Sequence, residues 1–89
     1  MMCRMVIFHG KVQGVSFRRQ TALKAEELSV SGYVKNRSDG SVEAVFMGSE
    51  KNVRDLIDFC RSSVKNADVT SYEEKETVWY GDHGFRVLH

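Results

Sequence analysis

The chain has 89 residues and a formal net charge of +1. That length is one domain's worth, and a chain this short buries only a little over ~60% of the surface it would expose when unfolded. The near-neutral charge leaves no global field to draw in nucleic acid or a membrane surface. A single domain over residues 1–89, built around one core, is therefore expected. No apolar run approaches the ~20 residues that span a bilayer. The opening MMCRMVIFHG lacks a long hydrophobic stretch and a small-residue cleavage site, so a cytoplasmic location is expected. Cys3 and Cys60 have no metal-pair spacing and read as two reduced thiols in or near the core. Proline is absent, so no loop has its φ fixed by a ring.

Arg4 to Lys11 is rich in apolar and β-branched residues and reads as a strand. Gly10 and Gly14 bracket a short loop. Apolar or small residues then recur at Phe17, Thr21, Ala25 and Leu28, the stripe of a helix, which Ser29 to Gly32 should stop. Tyr33 to Arg37 reads as a second strand. Ser38-Asp39-Gly40 is turn chemistry, and Val42, Ala44 and Phe46 form the inward set of a third strand in a hairpin. Ser49 is a suitable N-cap for a second helix whose face is Val53, Leu56, Ile57, Cys60 and Val64, with Asn66 expected to cap its end. Val69 to Trp79 alternates poorly and is acidic at Glu73, Glu74 and Glu76, yet its length and position suggest a fourth strand. Phe85 and Val87 suggest a short fifth. The order β-α-β-β-α-β is the split βαβ, ferredoxin-like pattern. It predicts an α+β sandwich, an antiparallel sheet with both helices on one face.

Two segments carry chemistry. The first is the loop Gly10-Lys11-Val12-Gln13-Gly14-Val15-Ser16-Phe17-Arg18, between a strand and a helix. Glycine there lets the backbone turn and approach a ligand. The helix start offers unpaired N–H groups and a partial positive charge, together an anion site. Arg18 and Arg19 both fall in the first helical turn, where a cation is disfavoured by roughly 0.3–1 kcal/mol. An anion gripped by a planar guanidinium would offset that cost. The second segment is Gly32 to Glu43. Its Asn36 sits in a strand, where asparagine is disfavoured, and could be an amide held on a rigid element to orient a small molecule.

The first segment resembles the acylphosphatase signature G-x-V-Q-G-V-x-F-R, matched without a gap from Gly10 to Arg18. The second resembles that family's G-[aromatic]-V-[K/R]-N-x-x-x-G-x-V, matched from Gly32 to Val42 with a later glycine at Gly48. The resemblance implies hydrolysis of acyl phosphates, with Arg18 and Asn36 as catalytic residues. It also implies a phosphate-binding backbone over Gln13, Gly14, Val15, Ser16 and Phe17. It further implies a monomer that needs no cofactor or metal, acts on a small-molecule acyl phosphate, and is inhibited by its product, inorganic phosphate. Two departures stand out. Ser29 replaces a common glycine at the end of the first helix, and Ser62 to Asp68 replaces a proline-bearing loop.

The chemistry accounts for the sparse set of functional groups. A carboxylate leaving group, with a conjugate acid pKa near ~4, departs without a general acid. Phosphoryl transfer through a loose transition state is then chiefly positioning and charge stabilisation. His9, His83 and His89 are scattered and show no metal or triad spacing. An RNA-binding sheet would need exposed aromatics and a basic-aromatic signature on its central strands; Ser41 to Met47 offers Glu43 and Phe46 and no such signature. A metallochaperone would need a Cys-x-x-Cys loop, and there is none.

Overall fold

Two positions of strand β1 (Met2–Lys11), Val6 and Phe8, are fully buried, and their neighbours Met5, Ile7 and His9 are half-buried. That alternation lays one face of the strand against a core and leaves the other face open. The computed structural model describes all 89 residues. After β1 come α1 (Phe17–Glu27), β2 (Ser31–Asn36), β3 (Val42–Gly48), α2 (Glu50–Ser62), β4 (Asp68–Glu76) and β5 (Phe85–Leu88). The sheet order is β4-β1-β3-β2-β5. The expected ferredoxin-like α+β architecture is present. The first four strands pair antiparallel, as expected. β5 differs: it pairs parallel to β2, Gly32 opposite Phe85 and Lys35 opposite Leu88, so the sheet is mixed. The segment between β4 and β5 runs from one sheet edge to the other, which delivers β5 in the same direction as β2.

The core lies between sheet and helices. Phe8, Phe17, Val34, Ala44, Phe46, Leu56 and Cys60 belong to one cluster of buried residues. Phe17 and Phe8 pack with ring centroids 5.4 Å apart, which seats the first turn of α1 on the end of β1. Thr21 and Ala25 continue that buried face and Leu28 is half-buried. In α2 the expected face Val53, Leu56, Ile57, Cys60 is buried, and Val64 remains buried beyond the helix end. Burial pushes the Cys60 thiol up to about 12, so this cysteine is a small apolar group in practice. Both cysteines are free thiols.

The helix ends follow their sequence signals with one exception. The Ser49 side chain accepts from the Asn52 N–H at 3.2 Å and caps α2. Ser29 takes the left-handed conformation, φ 56°. Its N–H donates to Glu26 C=O at 3.1 Å and the Val30 N–H to Ala25 C=O at 2.8 Å, the pair of bonds of a Schellman ending. Asn66 is the exception. It does not cap α2, which ends at Ser62; at φ 69° it lies in the following turn, where Ala67 N–H closes onto Val64 C=O at 3.2 Å.

β4 ends at Glu76 rather than Trp79. Trp79 turns back to pack on Tyr33, ring centroids 5.4 Å apart. The poor hydropathy of β4 has a physical cause. It is an edge strand whose inward Glu74 is held by Arg4 at 3.2 Å and by Arg54 of α2 at 2.8 Å, while Glu73 on the other face meets His9 at 2.7 Å. Ion pairs take the place of an apolar stripe.

Candidate active site

A split βαβ unit has a geometric consequence. β1 and β2 run in the same direction on either side of β3, so the loop after β1 and the last residue of β2 arrive at the same end of the sheet. There Gln13, Gly14, Ser16, Phe17, Arg18, Arg19 and Asn36 line one cleft of about 240 Å3, with Val12, Val87 and His89 completing it. Two residues 18 positions apart in sequence, Arg18 and Asn36, are thereby brought onto one small hollow. Arg19 and His89 also line it. The pattern of the first helical turn points to Arg19, whereas His89 reaches the cleft only through the pairing of β5 with β2.

The loop backbone is left-handed at two positions. Gly14 has φ 75° and Ser16 φ 62°. The first is routine for glycine, and open space surrounds it. The second costs a serine of order 1 kcal/mol. Gly10 serves a different purpose from the one its place in the loop suggests. It sits at a register shift within β1, and a Cβ there would lie 2.2 Å from the Asp68 carbonyl oxygen; its smallness serves strand pairing.

Ser16 is the N-cap residue of α1 but its hydroxyl caps nothing, and no acidic residue stands in the first turn. The backbone N–H groups from Gln13 to Arg19 donate to no acceptor in the protein. The site therefore presents a run of uncommitted donors at a helix N-terminus, with two arginines beside it and no carboxylate side chain on the cleft wall. Such an arrangement attracts a compact anion.

Side chains hold this loop in place. Gln13, half-buried, commits its carboxamide nitrogen to the hairpin: its Nε2 donates to the Arg37 and Ser41 carbonyls at 2.8 and 2.9 Å, tying the loop to the segment that carries Asn36. Asp39 closes that hairpin by accepting from the Ser41 N–H at 3.0 Å and from the Ser41 hydroxyl at 2.5 Å. These bonds, with the charge of Arg37, hold the Asp39 carboxyl below its ordinary range. Arg18 Nη1 donates to the Leu88 carbonyl at 2.7 Å. A larger open hollow of about 480 Å3 lies at the opposite end of the sheet, but Glu50 and Glu76 share its wall with Arg4, and it has no comparable run of donors. No group of three or more His, Cys, Asp or Glu side chains is arranged to hold a metal ion, and no helix is long and apolar enough to cross a membrane.

Comparison with known proteins identifies the family. The acylphosphatase family model matches residues 4–87. An acylphosphatase of Picrophilus torridus is 49% identical over 82 residues, covering 92% of this chain and 99% of that protein. The crystal structure of acylphosphatase from Bacillus subtilis superposes with a TM-score of 0.93 at 30% identity, covering 100% of both chains. An acylphosphatase structure from Coxiella burnetii gives 0.90 at 38% identity, covering 98% of this chain and 92% of that one. The chain belongs to the acylphosphatase family, and its reaction is the hydrolysis of acyl phosphates.

Proposed function

We propose that Arg18, Asn36 and the backbone from Gln13 to Phe17 carry this hydrolysis within a single domain spanning residues 1–89. The observation that carries the reading is the run of backbone N–H groups with no protein acceptor, set beside Arg18 at the start of α1. The donors of Gln13, Gly14, Ser16 and Phe17, which line the cleft, take the phosphate oxygens; Val15 belongs to the same loop without lining the cleft. The guanidinium of Arg18 neutralises charge on the transferring phosphoryl group. The carboxamide oxygen of Asn36 accepts a hydrogen bond from a water molecule and holds it in line with the leaving group. The water oxygen bonds to phosphorus as the phosphorus–oxygen bond to the acyl group breaks. The electron pair leaves on the carboxylate, and the water proton passes to a phosphate oxygen. The products are a carboxylate and inorganic phosphate.

Because the carboxylate is stable as an anion, no general acid is required, and no step calls for a metal or cofactor. The acyl group faces the open side of the cleft, so the phosphate is the part recognised most closely. Inorganic phosphate should accordingly compete with substrate. We read the active protein as a cytoplasmic monomer with neither nucleic acid nor membrane as a partner.

The test is a hydrolysis assay with benzoyl phosphate beside a phosphate monoester, each with and without chelator. Hydrolysis of the acyl phosphate alone, unchanged by chelator and competitively inhibited by phosphate, is expected. Loss of activity in chelator, restored by added metal, would sink the metal-free scheme.

A further inference from the structure

We infer that the carboxamide of Gln20 is a positioning residue that aims the Ser16 N–H at the bound phosphate. The inference rests on the reading of the Gln13–Phe17 loop as the phosphate cradle.

Gln20 lies one turn into α1 and is half-buried. Its Nε2 donates to the Val15 carbonyl at 3.3 Å and to the Lys65 carbonyl at 3.2 Å, and its Oε1 accepts from the Lys65 N–H at 2.9 Å. Both amide hydrogens and the oxygen are thus engaged. The two opposed contacts to Lys65 fix which end of the amide is nitrogen, because exchanging them would set donor against donor and acceptor against acceptor.

The contact to Val15 determines where the next donor points. The chain has no cis peptide bond, and in a trans peptide the C=O and the following N–H point in opposite directions. Holding the Val15 oxygen toward Gln20 therefore turns the Ser16 N–H the other way. Ser16 lines the cleft, whereas Val15 and Gln20 do not. The Ser16 N–H donates to no protein group, so the side to which it turns is the phosphate side. This peptide also needs support: Ser16 is left-handed at φ 62°, a conformation that persists only where its surroundings over-determine it. The far anchor is the turn between α2 and β4, which contains no proline, so the Gln20 bonds to Lys65 hold a turn that no ring stiffens.

The experiment is a phosphate titration followed by backbone amide NMR, combined with benzoyl phosphate kinetics, on the wild type and Gln20→Met. Methionine keeps the length and helix propensity and removes all three hydrogen bonds. In the wild type, phosphate should move the Ser16 amide resonance downfield. If it leaves that resonance in place, the cradle reading itself fails, whatever the variant does. In Gln20→Met, the phosphate inhibition constant and KM should rise together on the order of tenfold, the scale of one misdirected donor to an anion. The phosphate-induced shift of Ser16 should shrink, and kcat should change less, as expected for lost uniform binding. Should the methionine variant not fold, Gln20→Ala carries the same readouts. A folded variant with wild-type phosphate affinity and an unchanged Ser16 shift overturns the inference. So does a variant with a lowered Tm and unaltered KM and Ser16 shift, because that result makes Gln20 merely structural.

Discussion

Arg18 and Leu88, 70 residues apart, are joined by a 2.7 Å hydrogen bond from the guanidinium Nη1 to the backbone carbonyl. The last strand thereby orients an arginine that the start of α1 supplies. A guanidinium has five donors in a fixed plane, so one can be spent on orientation while others remain for an anion.

That division of labour makes Arg18→Lys non-conservative. Lysine keeps the charge but has neither the fork nor the reach to hold a strand carbonyl and a phosphate together. Turnover of benzoyl phosphate should fall on the order of 10²-fold or more, by analogy with the loss of a preorganised oxyanion donor. Near-wild-type turnover in steady-state kinetics would show that the arginine has only a structural role.

Asn36 and Arg18 should separate by role. An interaction with the attacking water matters mainly in the transition state. Asn36→Ala should therefore collapse kcat and leave the phosphate inhibition constant nearly unchanged, whereas Arg18→Ala should weaken both. Asn36 is exposed at the end of its strand, so its truncation should leave the unfolding transition close to that of the wild type. If a folded Asn36→Ala binds phosphate as poorly as Arg18→Ala, asparagine is a phosphate ligand and the water-orienting role is wrong.

The turn that follows Asn36 should be acid-sensitive. Asp39 has its carboxyl lowered first by the Ser41 hydroxyl and then by the Ser41 amide. A carboxyl with a depressed folded pKa stabilises the fold above its unfolded value, about 3.9, and loses that contribution as pH falls through the lower folded value. Denaturant unfolding of the wild type and Asp39→Asn should differ by a constant amount from pH 7 to about pH 5. The gap should then close as the pH drops below about 4. A gap independent of pH would remove the charge of Asp39 from the account.

Ser29→Gly should stabilise the protein. Serine at φ 56° bears a left-handed strain that glycine lacks, offset in part by the greater freedom of glycine in the unfolded chain. The net gain should be about 0.5–1 kcal/mol, which raises the Tm of a domain this small by a few degrees. Ser29 lies away from the cleft, so kcat/KM should not change. A thermal melt showing no increase would mean that the Schellman hydrogen bonds already absorb the strain.

What the sequence by itself determined is local. The side chains of one helical face sit three or four residues apart, so Val53, Leu56, Ile57 and Cys60 announced α2 and its buried side before any contact was known. The Ser49 cap and the stop of α1 within Ser29 to Gly32 are equally short-range. The motif from Gly10 to Arg18 and the one around Asn36 were legible because each is a short contiguous pattern that resembles a family signature at fixed spacing. Tertiary structure decided the rest, because the groups involved share no periodicity and no proximity along the chain. Asn36 comes beside Arg18 only because the crossover through α1 sets β1 and β2 parallel around β3. β4 could not be bounded by hydropathy, since Arg4, Arg54 and His9 satisfy its glutamates from other elements. The direction of β5 depended on a connection that crosses the sheet. The carboxamides of Gln13 and Gln20 bond to backbone carbonyls up to 45 residues away. Every residue but proline offers the same backbone groups, so no sequence pattern marks which of them a glutamine will find, and the chain must fold before these bonds can hold the loop.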